Sequence, residues 1–286
     1  MANSIQVAQL FENLVDEGYR AKSRTARLFE QGLITPVGEG YGKFQVMKVS
    51  TEGIGTYDKN LGYAKSGTTV SYEEINPDID LSASITIDHF DNAETLNKAL
   101  AYGYRDIQDK LIREVDAIRI ASIVKGAKAE NIVQGTFATG DDVVKAIRAA
   151  IVKMDNERVY DDKVLLATSA VIGALEDMDS YKSKQVLGNF VETVKMEQDV
   201  FYTAVDVKDG KSGEFNYSKN TEAKDINFMI VSKSAIDCSA KSRAKYISAD
   251  VNQDLDADSM KLRFYALSAY VFDNKKDGIY VNTAAK

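Results

Sequence analysis

The sequence is poor in the residues on which most metal and proton-transfer chemistry depends. Its 286 residues include one histidine, His89, one cysteine, Cys238, two prolines and no tryptophan. A disulfide framework or a thiolate zinc site needs several cysteines, so both are excluded. Histidine is the usual proton carrier near neutral pH and the commonest metal ligand, so a histidine-based metal site is not expected. No apolar run approaches the roughly 20 residues that span a bilayer, so we expect no membrane partner.

The charged residues are of both signs and are interspersed. Lys and Arg number 36 and Asp and Glu number 43, which gives a net charge of −7. Neutralising nucleic-acid phosphates needs clustered Lys and Arg, so this balance argues against a nucleic-acid-binding protein. An apolar content of 44% with 28% charged residues is typical of a soluble globular protein. The lone cysteine, and an N-terminus without the pattern of a signal peptide, fit a reducing compartment.

Glycine is concentrated in one segment near the N-terminus. Apolar spacing predicts a short amphipathic helix over Ile5–Val15 and allows a second over Arg20–Phe29. Seven glycines follow within Gly38–Gly67, interleaved with strand-forming residues. This mixture predicts a long two-stranded excursion with too few large apolar residues to bury itself. Its stability would have to come from another surface.

The next segment predicts a half-exposed strand that leads into a long helix. Apolar residues alternate along Val70–Asp88, with a break at Pro77. Asp91 and Glu94 then form a variant of the capping box that marks a helix N-terminus. A single apolar stripe follows, formed by Leu96, Leu100, Tyr104, Ile107, Leu111, Val115 and Ile118. The pattern predicts one helix from Asn92 to about Lys125, which would be about 50 Å long and would form the spine of an elongated body.

The rest of the chain mixes helices and strands and contains no internal repeat. In chain order the sequence predicts a capped helix from Asp141 or Asp142 to Met154, a buried strand Val164–Thr168, a short helix Ser169–Asp177, strands near Val200–Val207 and Ile226–Val231, a long strand Met260–Phe272, a turn Asp273–Gly278 and a last strand Ile279–Val281. The polar run Lys208–Asp225 is interpreted as a solvated loop. The fold class is therefore α+β.

The two most reactive side chains are interpreted as structural. His89 lies next to Asp88 and near Asp91, but no G-x-S-x-G elbow accompanies it as a hydrolase triad would require. Cys238 follows an apolar strand, and the sequence shows neither a base nor an electropositive site that would activate its thiol. The many carboxylates leave a general acid and base pair open, although no pair is selected.

The loop motifs also fail to predict a ligand site. Glycines of Gly38–Gly42 precede a strand rather than a helix, and Lys65–Gly67 lacks the order of a phosphate loop. The run Asp250–Asp258 carries oxygen side chains at the first three EF-hand ligand positions. However, Leu255 replaces the required glycine and Lys261 the bidentate glutamate, so we interpret the run as an acidic turn between two strands. We therefore predict no catalytic, cofactor-binding or metal-binding residues and no cofactor.

The order of these segments resembles that of the major capsid proteins of tailed bacteriophages, which have the Hong Kong-type shell fold. Three stretches carry the resemblance. Val70–Thr95 resembles the strand that returns from the extended loop of that family and enters the spine helix. Ile226–Ile236 and Asp250–Val281 are similar to segments near the end of the family, the latter including the turn Asn-Lys-Lys-Asp-Gly-Ile-Tyr. The resemblance covers nearly the whole chain.

The resemblance implies a division into four parts and a structural role. Residues 1–36 would be an N-terminal arm, 37–90 an extended loop and return strand, 91–139 and 236–286 a peripheral domain with the spine helix, and 140–235 an axial domain. Copies would assemble into pentamers and hexamers of an icosahedral head around double-stranded DNA, without sequence-specific binding. This implies a virion protein assembled in the bacterial cytoplasm, and not an enzyme. Further partners would be the portal and decoration proteins. Because the chain starts almost directly at the arm, we also expect either a separate scaffolding protein or a numbering that begins after cleavage.

Two other functions stay open at this stage. An encapsulin-like bacterial nanocompartment would use the same fold around an enzyme instead of DNA. A carboxylate-dependent hydrolase would need neither histidine nor cysteine. Some members of the resembled family join subunits between a lysine and an asparagine. Lys59 and Lys65 lie in the loop, but no partner is fixed by the sequence, so no crosslink is predicted.

Overall fold

The computed structural model describes residues 23–29, 34–36, 42–57, 59, 66–94, 98–178, 181–208, 217–248 and 256–285. The helix predicted over Ile5–Val15 lies outside these residues. Within them the strands are β1 Ile34–Pro36, β2 Phe44–Thr51, β3 Thr68–Ile75, β4 Ile79–Asp88, β5 Ile132–Gly135, β6 Lys163–Thr168, β7 Glu192–Met196, β8 Val205–Val207, β9 Tyr217–Lys219, β10 Ile226–Ser232, β11 Ile236–Asp237, β12 Ala240–Ile247, β13 Ala257–Ala266, β14 Tyr270–Val271 and β15 Ile279–Ala284. The α-helices are α1 His89–Glu94, α2 Lys98–Gly126, α3 Gly140–Asn156, α4 Ser169–Glu176 and α5 Tyr181–Leu187.

A five-stranded sheet in the order β5-β15-β10-β6-β7 forms the largest core. Strand β10 runs antiparallel to both β15 and β6, while β5 is parallel to β15 and β7 is parallel to β6. All six residues of β6 are buried because both faces of the sheet are covered. Leu166 packs in the cluster that contains Ile120 and Ile123 of α2. Its neighbour Leu165 points to the opposite face and packs with Ile147 of α3.

A three-stranded antiparallel sheet in the order β12-β13-β4 forms the second core. Its buried face includes Met260 and Leu262 of β13, which cluster with Leu111 and Val115 of α2. Strand β4 alternates between half-buried and exposed residues from Asp80 onward, as its sequence predicts. The first half of α2 therefore covers this sheet and its second half covers the five-stranded sheet. With 29 residues, α2 is about 43 Å long. The interpretation of this helix as a spine is confirmed.

The N-terminal boundaries of two helices differ from the prediction. The predicted start at Asn92 with an Asp91 cap is wrong, because α1 begins at His89 directly after β4. The Phe90 N–H donates to Asp88 Oδ1 at 2.9 Å, so Asp88 satisfies a backbone group at this helix end. Residues 95–97, between α1 and α2, lie outside the described residues. Helix α3 begins at Gly140, before either predicted aspartate.

The cap of α3 is Thr139. Its hydroxyl accepts the N–H of Asp142, and the carboxylate of Asp142 accepts the N–H of Thr139 in return. This reciprocal pair is a capping box. The Thr139 hydroxyl lies 2.8 Å from Asp142 Oδ2, and its hydrogen bond to that oxygen lowers the pKa of the Asp142 carboxyl. The sequence-based prediction chose the wrong residue because aspartate and threonine are both common caps and aspartate is the more frequent of the two.

One strand prediction and one loop prediction also need correction. The long strand Met260–Phe272 is divided, because β13 ends at Ala266 and β14 pairs with β11 instead. At the break, the Ser268 N–H donates to Asp78 Oδ1 at 2.7 Å, outside the strand ladder. The segment Lys208–Asp225 is not entirely a solvated loop, since β9 pairs with β8 and Tyr217 is buried.

The last strand joins the sheet of the middle segment. Strand β15 forms hydrogen-bonded pairs with β10 along Ile226–Val231, and it pairs in parallel with β5. The predicted division assigned residues 236–286 to one domain and 140–235 to another. The pairing of β15 instead unites residues 279–284 with β6 and β10 in one sheet.

Replacing Arg158 with glycine is expected to raise the free energy of unfolding by about 0.5–1 kcal/mol. Arg158 has a φ of 63° just after α3, a left-handed conformation that favours glycine. The hydrogen bonds from Val159 N–H to Met154 O and from Arg158 N–H to Asp155 O, both 3.0 Å, form a Schellman cap that fixes this conformation. Chemical denaturation measures the change.

The matched control is Asn156→Gly, in the last turn of the same helix. It is expected to lower the free energy of unfolding by about 0.2–0.4 kcal/mol, because the residue is helical and glycine loses more backbone entropy there than asparagine. Equal changes in the two variants would contradict the assignment of strain to Arg158.

Candidate functional site

His89 lies half-exposed where β4 passes into α1. Its Nδ1 is 3.5 Å from Asp258 Oδ2 on β13, and Asp258 is buried. The Tyr246 hydroxyl donates to Asp258 Oδ1 at 3.0 Å. The backbone N–H of His89 donates to Asp256 O at 3.1 Å. These contacts hold the start of α1 against the three-stranded sheet. They are contacts that stabilise the fold, so His89 has a structural role.

Cys238 is buried in the larger core beside a buried arginine of α2. Arg119 Nη2 donates to Cys238 Sγ at 3.4 Å. Burial raises the pKa of the Cys238 thiol, and the Arg119 charge offsets only part of that effect. The thiolate, which is the nucleophilic form, is therefore disfavoured at neutral pH.

Cys238 is expected to react with a disulfide reagent at less than about one hundredth of the rate of an exposed cysteine. The reason is its burial together with its raised pKa. A Lys145→Cys variant, with an exposed thiol on α3, provides the reference. The release of the coloured thiol measures both rates, and fast labelling of Cys238 in the folded protein would contradict its structural interpretation.

The remaining motifs of the sequence fall mostly on residues that the structure does not describe. Within it, no three His, Cys, Asp or Glu side chains come together as metal ligands. The described helices include none that is long and apolar enough to span a membrane. Residues 250–255 of the EF-hand-like run, Gly38 to Tyr41 and Lys65 lie outside the described residues.

A β-hairpin formed by β2 and β3 presents an unusual surface. The strands pair from Phe44 with Ile75 to Thr51 with Thr68. One face of the hairpin is covered near its base, where Phe44 and Val46 are buried with Leu267. The opposite face, which we call the outer face, carries Met47, Val49, Val70 and Tyr72, exposed by 55%, 53%, 52% and 62%. The predicted two-stranded excursion is confirmed.

The outer face is continuous because its residues are cross-strand neighbours. Met47 lies opposite Tyr72, and Val49 lies opposite Val70. Ile54 and Tyr57, beyond the paired residues, are also exposed. Strand β1 pairs with β2 along Phe44–Val46, and beyond these residues the described hairpin is two-stranded and marginally stable on its own. Exposed contiguous apolar patches mark interaction surfaces. The geometry therefore favours contact with another surface.

An ion cluster joins the base of the hairpin to the C-terminal part of the chain. Lys48 Nζ lies 2.7 Å from Glu73 Oε2 and 3.2 Å from Asp273 Oδ2. The Tyr270 hydroxyl donates to Glu73 Oε2 at 2.8 Å. Lys48, and then Tyr270, hold the pKa of the Glu73 carboxyl below its usual value. Lys276 and Lys48 lower the pKa of Asp273 in the same way.

A short strap, residues 23–29, crosses α2. The buried carboxylate of Asp116 accepts hydrogen bonds from the Ser23 hydroxyl at 2.6 Å and the Arg24 N–H at 2.8 Å. It also accepts the N–H and the hydroxyl of Thr25. Ser23 and Thr25 are themselves buried. Hydrogen bonds to a charged acceptor are strong, so one side chain of α2 fixes the strap.

Arg119 holds the other end of the strap. Its guanidinium lies 5.0 Å from the centroid of the Phe29 ring, within the range of a cation–π interaction. Arg27, also in the strap, pairs with Glu192 of β7 at 2.6 Å. The sequence-based reasoning missed Asp116 and Arg119. The sequence did contain a signal for them. Two charged residues lie three positions apart on the predicted helix, among positions that the apolar pattern predicts to be buried.

Comparison with known proteins identifies the fold. No protein-family model matches the sequence, and no curated protein matches it either. A solved structure from Gordonia phage Cozz is similar with a TM-score of 0.59 at 12% identity, and the match covers 92% of this chain and 87% of that one. The asymmetric unit of the bacteriophage PhiM1 mature capsid has a TM-score of 0.55 at 12% identity, with 91% and 84% covered. A virus-like particle from Pyrococcus furiosus has a TM-score of 0.50 at 9% identity, with 94% and 95% covered.

These similarities extend over nearly the whole chain. The protein has the α+β Hong Kong-type fold of tailed-bacteriophage capsid proteins, with an extended β-hairpin and a long spine helix. The fold predicted from the resemblance is confirmed.

Proposed function

We propose that the chain is the major capsid protein of a tailed bacteriophage, whose copies assemble into the icosahedral head shell. The observation that carries this proposal is the apolar outer face of the hairpin, which the described part of its own chain leaves exposed. A second copy of the chain supplies the missing cover. The bacteriophage PhiM1 mature capsid, with a similar fold over 91% of this chain, supports the proposal.

The parts of the fold have separate roles in this proposal. The segment 1–36 is the arm, and the hairpin within 37–90 lies over a neighbouring subunit. The three-stranded sheet with the first half of α2 is the peripheral domain. The five-stranded sheet with α3, α4 and α5 is the axial domain, whose tips meet in pentamers and hexamers. We assign β15 to the axial domain because it pairs with β10.

The shell encloses double-stranded DNA without reading its sequence. A net charge of −7 suits a container that does not grip its contents tightly. A separate scaffolding protein, the portal and decoration proteins are the further partners. The protein acts in the virion after assembly in the host cytoplasm, with no catalytic residue and no cofactor.

A cellular shell is the second candidate. The Pyrococcus furiosus virus-like particle covers 94% of this chain, and it favours an encapsulin-like compartment with a protein cargo. Its TM-score of 0.50 is lower than that of the phage structures reported above. The two candidates differ in the content of the shell rather than in the fold of the subunit.

Electron microscopy of the purified protein tests the shell, with co-expressed scaffolding protein as a second condition. We expect closed particles of uniform diameter. Protein that stays monomeric in both conditions contradicts both candidates. Extraction of native particles then distinguishes them, because double-stranded DNA supports the phage head and a protein cargo without DNA supports the compartment.

A further inference from the structure

In the described part of the chain, the hairpin meets the rest of the subunit at its base. Phe44 and Val46 pack beside Leu267 at its base. Every described residue from Val49 to Glu74 is exposed. The ion cluster of Lys48 therefore lies at the last point where the hairpin meets the body of the subunit.

The cluster has members on both sides of this junction. Lys48 and Glu73 belong to the hairpin, whereas Tyr270 and Asp273 belong to the C-terminal segment. The contacts that cross the junction include Lys48 to Asp273 at 3.2 Å and the Tyr270 hydroxyl to Glu73 at 2.8 Å. Lys276 Nζ, 2.9 Å from Asp273 Oδ1, orients the aspartate from the body side.

A second ion pair in the hairpin provides a comparison. Lys43 Nζ lies 2.7 Å from Glu74 Oε2, and both residues belong to the hairpin. The two lysines are similarly exposed, at 57% for Lys43 and 41% for Lys48. The Lys48 cluster reaches the body and the Lys43 pair does not.

We propose that the Lys48 cluster is an electrostatic hinge that sets the angle of the hairpin to the body of the subunit. Exposed ion pairs are screened when the Debye length falls to about 3 Å at about 1 M salt, so high salt releases the hinge. Released hairpins present their outer face over a wider range of angles. The consequence for contact with a neighbouring copy rests on the proposed function, whereas the hinge itself belongs to the single subunit.

The test measures the distance between two spin labels in the unassembled full-length chain. One label is attached at the hairpin tip through Ile54→Cys and the other on α3 through Lys145→Cys, in a Cys238→Ala background. At about 50 mM salt the parent is expected to give a narrow distance distribution. Lys48→Met is expected to broaden it at least about twofold, while the control Lys43→Met leaves it unchanged.

Two further measurements separate the effect of charge from the effect of packing. Asp273→Asn removes the charge that faces Lys48 across the junction but keeps a side-chain oxygen of the same size, and it is expected to broaden the distribution as well. About 1 M salt should broaden the parent to the width of the Lys48→Met variant and change that variant little. Circular dichroism checks that each variant is folded.

Equal distance distributions for Lys48→Met and Lys43→Met would overturn the hinge proposal. A distance distribution of the parent protein that high salt leaves unchanged would also overturn it. If Lys48→Met fails to fold, the comparison of Asp273→Asn with Lys43→Met decides in its place. Failure of the proposed function has a different signature. In that case the parent forms no shells under the electron microscope, whatever the label distances show.

Discussion

Replacing Val49 with aspartate is expected to raise the subunit concentration needed for shell assembly by about 100-fold, while the subunit itself stays folded. Val49 is 53% exposed on the outer face, so the change costs the isolated subunit little. In the proposed contact with a neighbour, the carboxylate is buried without a partner. A cost of about 3 kcal/mol, within the range for an uncompensated buried charge, corresponds to about 100-fold.

Light scattering against protein concentration measures this shift, and electron microscopy identifies the particles. Ser50→Asp is the matched control, because Ser50 is exposed on the opposite face of the same strand. It adds the same charge and is expected to assemble like the parent. If both variants lost assembly equally, the effect would come from net charge and not from the outer face. Normal assembly of Val49→Asp would remove the main support for the proposed function.

Replacing Asp116 with alanine is expected to lower the free energy of unfolding by about 3–5 kcal/mol. The carboxylate accepts hydrogen bonds from Ser23, Arg24 and Thr25, and its loss leaves two buried hydroxyls without their acceptor. Chemical denaturation measures the free energy, and hydrogen exchange of the strap shows where the protection is lost. We expect the loss of hydrogen-exchange protection to be confined to the strap and the adjacent part of α2.

Two comparisons make the Asp116 prediction specific. Asp109→Ala, at an exposed carboxylate of the same helix, is expected to lower the free energy by less than about 1 kcal/mol, which is the range for an exposed ion pair. Adding Ser23→Ala and Thr25→Val to Asp116→Ala removes the stranded hydroxyls and should restore part of the stability. No difference between Asp116→Ala and Asp109→Ala would show that the strap contributes little to the fold.

The regular elements of this fold could be predicted because their patterns repeat. The apolar stripe of α2 and the alternation along β4 each extend over several turns or residue pairs, so no single residue decides the prediction. Helix starts depend on one residue. Asp88 and Asp91 offer the same capping chemistry, and Thr139 competes with Asp141 and Asp142, so local sequence does not choose between them.

The functional surfaces depend on contacts between distant parts of the chain. Ser23 and Asp116 are separated by 93 positions, and Lys48 and Asp273 by 225. No local pattern predicts such pairs. The glycine-rich composition predicted a hairpin that needs another surface, but the outer face follows only from the register that sets Val49 opposite Val70. The partner of β15 was missed for the same reason, because strand pairing is not local.

The shared helix α2 has a mechanical consequence for the subunit. Val115 packs against the three-stranded sheet, and Ile120, little more than one turn later, packs against the five-stranded sheet. If either sheet unfolded, the half of α2 that packs on it would lose its contacts. The ordered part of the helix would then be shorter, and the half on the other sheet would be less stable. The stabilities of the two cores are therefore coupled. A force applied to one sheet is transmitted along α2 to the other sheet.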